Sequence, residues 1–219
     1  MKKQFAEELA KSLKISVNQV VREYWEMVIL REISQSRLAD FLIFAGGTAL
    51  RLAYNSPRFS DDLDFYLKKR LPFSVFRSAV SVIAKKYNLE ITDLYSKYFT
   101  FLAEFKIKED YLIQPFRIKI EVRGKIFKKD TELRLLNSAT GNFQVLITVL
   151  TLPKIQELKI NALKQRKEPR DLFDLWFIAQ QLKIPFKKPA VKIDKKTLKQ
   201  NLSKYLPFNF QKVIDNLTK

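Results

Sequence analysis

The sequence predicts an α+β fold: a mixed or antiparallel sheet flanked by helices over residues 1–150, then a basic α-helical region over 151–219. Three observations carry that expectation. The apolar run 41–45 is long enough only for a buried strand, 63–67 is the next strand, and a Gly-Gly pair lies between them. Residues 98–107 and 116–123 alternate polar and apolar side chains as half-buried strands do. Helical periodicity fills 16–36 and returns from Pro153 to Leu182.

In chain order, Ser16 is an N-cap for a helix whose apolar stripe holds Val17, Val20, Val21, Tyr24, Trp25, Val28 and Ile29. The strand at 41–45 leads through Gly46-Gly47-Thr48 into a short helix from Ala49 to Tyr54. Asn55-Ser56-Pro57 marks a turn before the strand at 63–67. Pro72 opens a helix to Tyr87 with Phe73, Phe76, Val80, Ile83 and Ala84 on one face. The alternating segments 98–107 and 116–123 form a meander, and 143–150 is another strand. Pro153 then starts a helix to Arg166, a second helix covers 169–182, and two short helices follow in 195–205 and 207–217.

Composition narrows the chemistry. With no Cys and no His, the chain cannot build a disulfide scaffold, a zinc finger, or a Cys or His nucleophile or base. Any metal must be held by oxygen, which points to Mg²⁺ or Mn²⁺. Lys and Arg number 41 against 23 Asp and Glu, a net +18, and residues 151–219 carry +10 of it. That asymmetry suits a polyanionic partner but equally suits a solvated lysine-rich surface. Lys2 and Lys3 resemble the start of a secretory leader, but Glu7 and Glu8 interrupt it before an apolar core can form. The longest apolar run has ten residues, two of them glycine. The expectation is a cytoplasmic protein with no membrane partner.

The stretch richest in chemistry is Gly46-Gly47-Thr48 followed by Asp62 and Asp64. Two glycines between strand and helix allow a tight turn that exposes amide N–H groups at a helix N-terminus, a ready anion site, and Thr48 adds a hydroxyl. Asp62 and Asp64 lie two apart on a strand, so both carboxylates share a face, while Asp61 points the other way. A divalent cation would hold both ionised despite their repulsion. A phosphate cradle beside a metal-holding acid pair is what nucleotidyl transfer requires.

The segment from Phe44 to Tyr54, continued by Arg58-Phe59-Ser60-Asp61-Asp62-Leu63-Asp64-Phe65, resembles the AbiEii/AbiGii-type nucleotidyltransferase toxins of the DNA polymerase beta-like superfamily. A second block, Lys159 to Arg166 and then Arg170-Asp171-Leu172-Phe173-Asp174-Leu175, resembles the later motifs of that family. The resemblance implies a nucleotidyltransferase core with NTP as substrate and a C-terminal α-helical region. By the same resemblance, Gly46, Gly47, Thr48, Arg51 and Ser60 bind the nucleotide together with Lys159 and Arg166. Asp62 and Asp64 hold Mg²⁺ (or Mn²⁺), with Glu121 as a candidate third ligand. Asp171 or Asp174 orients Lys159 or the nucleotide. It further implies a toxin with a cognate antitoxin and an RNA acceptor such as tRNA. A small-molecule or protein acceptor, or a non-catalytic binding module of the same fold, are the alternatives.

Plainer readings of the same residues stay open at this level. Asp62 and Asp64 could be solvated strand charges, Lys159 a helix-surface lysine and Glu121 a surface acid. Arg170 and Asp174 could be an i, i+4 helix pair, and Asp171 a charge near a helix N-terminus.

Overall fold

A computed structural model of the chain describes residues 1–187, 189–191 and 193–218. Its centre is a seven-stranded mixed sheet in the order β3-β4-β5-β2-β1-β7-β6. The strands are β1 (Leu42–Ala45), β2 (Asp62–Leu67), β3 (Glu90–Lys97), β4 (Thr100–Ile107), β5 (Phe116–Ile126), β6 (Thr131–Leu136) and β7 (Val145–Leu150). The helices are α1 (Lys3–Leu13), α2 (Val17–Gln35), α3 (Gly46–Tyr54), α4 (Phe73–Tyr87), α5 (Leu152–Arg166), α6 (Pro169–Gln181), α7 (Lys195–Leu202) and α8 (Val213–Thr218). The mixed character is set at the middle. β2 runs parallel to β5 and β1 parallel to β7, while β1–β2 and the outer pairs are antiparallel.

β1 is buried on both faces, which is why it reads as an uninterrupted apolar run. β4 and β5 instead bury alternate residues: Ala103, Phe105 and Ile107 of β4, and Ile118, Ile120 and Val122 of β5. Phe101 of β4 continues that row, with its ring 5.2 and 5.7 Å from Phe73 and Phe76 of α4, so α4 covers this face of the hairpin. Ser16 caps α2 as its position foretold, its hydroxyl accepting from the Gln19 amide at 3.3 Å. One hydrophobic cluster takes side chains from both sides of residue 150, including Phe44, Phe65, Ile155, Leu172, Phe173 and Leu198.

Three elements went unread in the sequence. α1 was obscured by the leader-like Lys pair. β3 lost its alternation because its register shifts between Ile91 and Asp93. β6 lies at the sheet edge, where Leu133 and Leu135 stay exposed and weaken the pattern. In addition, α3 begins at Gly46 rather than Ala49, since helix propensity disfavours glycine but does not forbid it in a first turn. No helix among the described residues is long and apolar enough to cross a membrane.

Candidate active site

The turn from β1 into α3 presses its two glycines against the acids of β2. Gly46 has φ +79°, a conformation that favours glycine, and a Cβ there would lie 2.3 Å from Asp64 Oδ2. A Cβ on Gly47 would lie 2.3 Å from Arg58 Nη2 and 2.7 Å from Ser60 Oγ. Both glycines are therefore required bare, and they bring the N-terminus of α3 directly against Asp64. The predicted convergence of glycine turn and acid pair holds.

Asp62 and Asp64 share one face of β2, and the parallel pairing sets Lys119 beside Asp62 and Glu121 beside Asp64. The result is a checkerboard of charge. Lys119 Nζ lies 3.4 Å from Asp62 Oδ2 and 3.5 Å from Glu121 Oε2. Arg123 bonds Glu121 at 2.9 Å and reaches Asp64 at 3.6 Å. Burial pushes the Asp64 carboxyl up, Arg123 and Lys159 pull it down, and Glu121 and Asp62 add to the rise. Lys119 and Arg123 are both held protonated above their ordinary range, since neighbouring carboxylates outweigh the burial that opposes them. Among the described residues no three acidic side chains converge on one point as a ready metal cage. The donor chemistry nonetheless fits a hard cation: Asp62 and Asp64 offer all-oxygen ligands side by side in a cleft, and Mg²⁺ takes one or two carboxylates and completes its shell with water and phosphate.

A second charge array is built by α5 and α6. Lys159 Nζ donates to Asp171 Oδ1 at 2.9 Å and lies 2.6 Å from Asp174 Oδ2. Arg58 makes a bidentate pair with Asp174 at 2.7 and 2.9 Å, and Arg166 a second fork onto Asp171 at 2.7 and 2.9 Å. Asp171, Asp174 and Arg58 are almost wholly buried. Burial alone would raise the Asp174 pKa, but Arg58 and Lys159 overcome it and hold the group at about 2. Arg166 and Lys159 likewise keep Asp171 below its ordinary value against burial.

The cleft between these arrays has a volume of about 330 Å³, within the range of small-molecule sites. Gly46, Gly47, Ser60, Asp62, Asp64, Glu121, Lys159, Arg166 and Asp171 all line it, as do Lys119, Arg123, Arg170, Asn161 and Gln165. Three residues expected there are placed elsewhere. Thr48 is fully buried, its hydroxyl donating to the Asp62 carbonyl at 2.5 Å, so it braces β2 instead of facing the cleft. Arg51 turns away to Glu23 at 2.7 Å and the Ser56 carbonyl at 3.0 Å, over the Phe59 ring. Asp174 sits behind Lys159. It pairs with Arg58, so the i, i+4 partnership with Arg170 does not form. Asp61 points away from the cleft as read, accepting from the Tyr205 hydroxyl and pairing with Arg22 at 3.3 Å.

The residue that sequence reasoning missed most fully is Arg58. Its only local signal is a charge set between Pro57 and Phe59 in a segment that must pass close to Gly47. Lys119, Arg123 and Arg170 were visible as charges but not as members of the cleft wall.

The strand–Gly-Gly–helix turn, the strand-borne acid pair and the lysine anchored on buried aspartates thus line one cleft of an α+β fold. The family model of the nucleotidyl transferase AbiEii toxin, type IV toxin–antitoxin system, matches residues 28–211, and the chain belongs to that family. No curated protein sequence matches it. Among solved structures it is similar to JHP933 from Helicobacter pylori, with a TM-score of 0.61 and 17% identity over 93% of this chain and 90% of that one. It is also similar to a candidate nucleotidyltransferase from H. pylori, with a TM-score of 0.60 and 18% identity over 93% of both chains. At those identities the likeness concerns the fold.

Proposed function

We propose that this nucleotidyltransferase is the toxin of a toxin–antitoxin or phage-defence pair. In this reading it acts in the cytoplasm and transfers a nucleoside monophosphate from an NTP to a hydroxyl of RNA, tRNA being the favoured acceptor. The observation that carries the reading is the contact of Gly46 with Asp64, which puts a phosphate-accepting helix N-terminus and a carboxylate pair in one cleft.

Asp62 and Asp64 would hold Mg²⁺, which supplies neutralisation of phosphate charge and polarisation of the reacting phosphoryl group when bound. The amides at the start of α3 donate to phosphate oxygens. Lys159, fixed by two aspartates, presents its charge to the nucleotide without searching for a rotamer. Arg123, Arg166 and Arg170 add positive charge around the cleft. In the transfer, the acceptor hydroxyl gives up its proton to solvent, its oxygen bonds to the α-phosphorus, the bond from that phosphorus to the α–β bridging oxygen breaks, and pyrophosphate leaves. The net +18 supports a polyanionic acceptor.

Incubation with each radiolabelled NTP, Mg²⁺ and total RNA tests the reading directly. Label should enter a discrete RNA band, require Mg²⁺, and disappear with Asp62→Ala. Label on protein or a small molecule alone, or full labelling by Asp62→Ala, overturns it.

A further inference from the structure

The cleft opens sideways onto a part of the sheet that α4 leaves bare. Phe101 and Val122 face α4, so the residues one step away on each strand face the opposite side, with the acids. Pairing across the strands gives two rows on that side. One runs Tyr95, Leu102, Glu121, Asp64, and the other Lys97, Thr100, Arg123. Tyr95 thus lies three strands from Asp64, about 14 Å at the usual spacing of ~4.8 Å. The hairpin continues into a two-residue tip, Tyr98-Phe99, where the rings are 89% and 85% exposed; Tyr95 is 42% exposed.

The tip is held in place rather than left loose. A Cβ on Gly124 would lie 2.5 Å from the Phe99 carbonyl oxygen and 2.8 Å from its Cβ, so the turn sits directly on β5, one residue beyond Arg123, with Phe99 on the α4 side of the sheet. Tyr98 adopts φ +52° at the first turn position, where glycine is favoured in such hairpins. A bulky aromatic in that conformation works against folding, which points to a role outside folding. Charge at this end is positive: Lys97 lies near the Tyr98 ring at 5.7 Å, and Lys125 and Arg123 follow on β5. The acids of this face beyond Glu121, namely Glu104, Asp93 and Glu90, lie at the far end of the hairpin, where Glu104 is paired with Arg117 at 3.4 Å and Glu90 with Lys106 at 3.0 Å.

Exposed rings on an open sheet face, interleaved with cations, are how sequence-tolerant single-strand recognition is built, since every base has a face on which to stack. We infer that the bare face of the β3–β4 hairpin and its tip, with Tyr95 and Tyr98 as stacking rings and Lys97 and Arg123 as phosphate contacts, is the platform that holds the single-stranded 3′ end of the acceptor beside the cleft. The inference rests on the RNA-acceptor reading above and adds the surface that recognises it. The tyrosines act on the acceptor alone, and NTP binding does not use them.

The test measures anisotropy of a short fluorescein-labelled single-stranded RNA with a free 3′ hydroxyl, with NTP binding followed by calorimetry. Tyr95→Ala should weaken RNA binding about tenfold and raise the acceptor KM with little change in kcat, and Phe99→Ala, on the α4 side, should change neither. Tyr98→Gly is the decisive variant. It should melt at or above the wild-type temperature, bind NTP as before, and still lose RNA affinity, a combination that misfolding cannot produce. Wild-type RNA affinity in the Tyr95 and Tyr98 variants overturns the platform while leaving the RNA-acceptor reading standing if wild-type protein labels RNA. If the substitutions spare RNA binding but dissociate a dimer or release a purified protein partner, the face is a protein interface and the inference fails. Wild-type protein that neither binds nor labels RNA removes the acceptor reading and the platform together.

Discussion

The two charge arrays on either side of the cleft use the same side chains for opposite ends. On the β2–β5 face, three of the four ion-pair contacts span 3.4–3.6 Å, and the groups they join are 20–44% exposed. Behind α5 and α6, every contact lies between 2.6 and 2.9 Å, and both aspartates are fully buried. Long, wet pairs exchange partners at small cost, so a cation or a phosphate can enter among them. Short, dry, forked pairs cannot be opened without stranding a charge. One array is arranged to receive ligand and the other to hold Lys159 and the cleft wall still.

The contrast can be broken most sharply at Asp174. Asp174→Ala strands Arg58 and leaves Lys159 one partner, and should cost about 3–5 kcal/mol in urea unfolding. A loss of under about 1 kcal/mol would show that the buried array is not scaffold. The same group predicts an acid signature. Its folded pKa is lowered, to about 2, so its contribution is complete above the ordinary carboxylate value of about 3.9 and is lost as pH falls toward 2. The stability–pH slope across that window should flatten in Asp174→Asn, which unfolding at stepped pH would reveal.

Asp62→Ala should do the reverse, reducing transfer by at least about 100-fold while shifting unfolding by no more than ~0.5 kcal/mol. Mg²⁺ with NTP should raise the melting temperature of the wild type and not of this variant. An equal rise in both would remove Asp62 from the metal-holding role. Thr48 falls between the two arrays in kind. Thr48→Val deletes the hydroxyl that bonds the Asp62 carbonyl, for a stability cost of about 1–2 kcal/mol with a smaller effect on rate than Asp62→Ala. Were Thr48→Val as inactive as Asp62→Ala yet equally stable, a direct nucleotide contact would be the better account. Lys119→Gln is the mildest change, under about 0.5 kcal/mol in unfolding, because its pairs are long and half-exposed.

Legibility in the sequence tracked how local each signal was. Ser16, the apolar runs of β1 and β2, the alternation of β5 and the prolines opening α5 and α6 act within a few residues, and all were readable. The same holds for the acid pair and the glycines: strand periodicity alone puts Asp62 and Asp64 together and Asp61 apart. Glu121 was legible as a candidate but not as the in-register neighbour of Asp64, which depends on a parallel pairing between strands some fifty residues apart. Thr48 and Arg51 looked like ligands because they sit next to the glycines. Helix geometry instead turned one into the core and the other toward Glu23.

By itself, then, the sequence determined the α+β class, the order of its principal strands and helices, and the acidic, His-free chemistry of the cleft, because these follow from residue type and short-range spacing. Only the tertiary structure decided which charges meet. Arg58 finds Asp174 across 116 positions of chain, and Arg170 at i, i−4 does not, because the fold buries Asp174 facing Arg58 and Lys159 and a buried carboxylate must be paired by whatever cation the packing delivers.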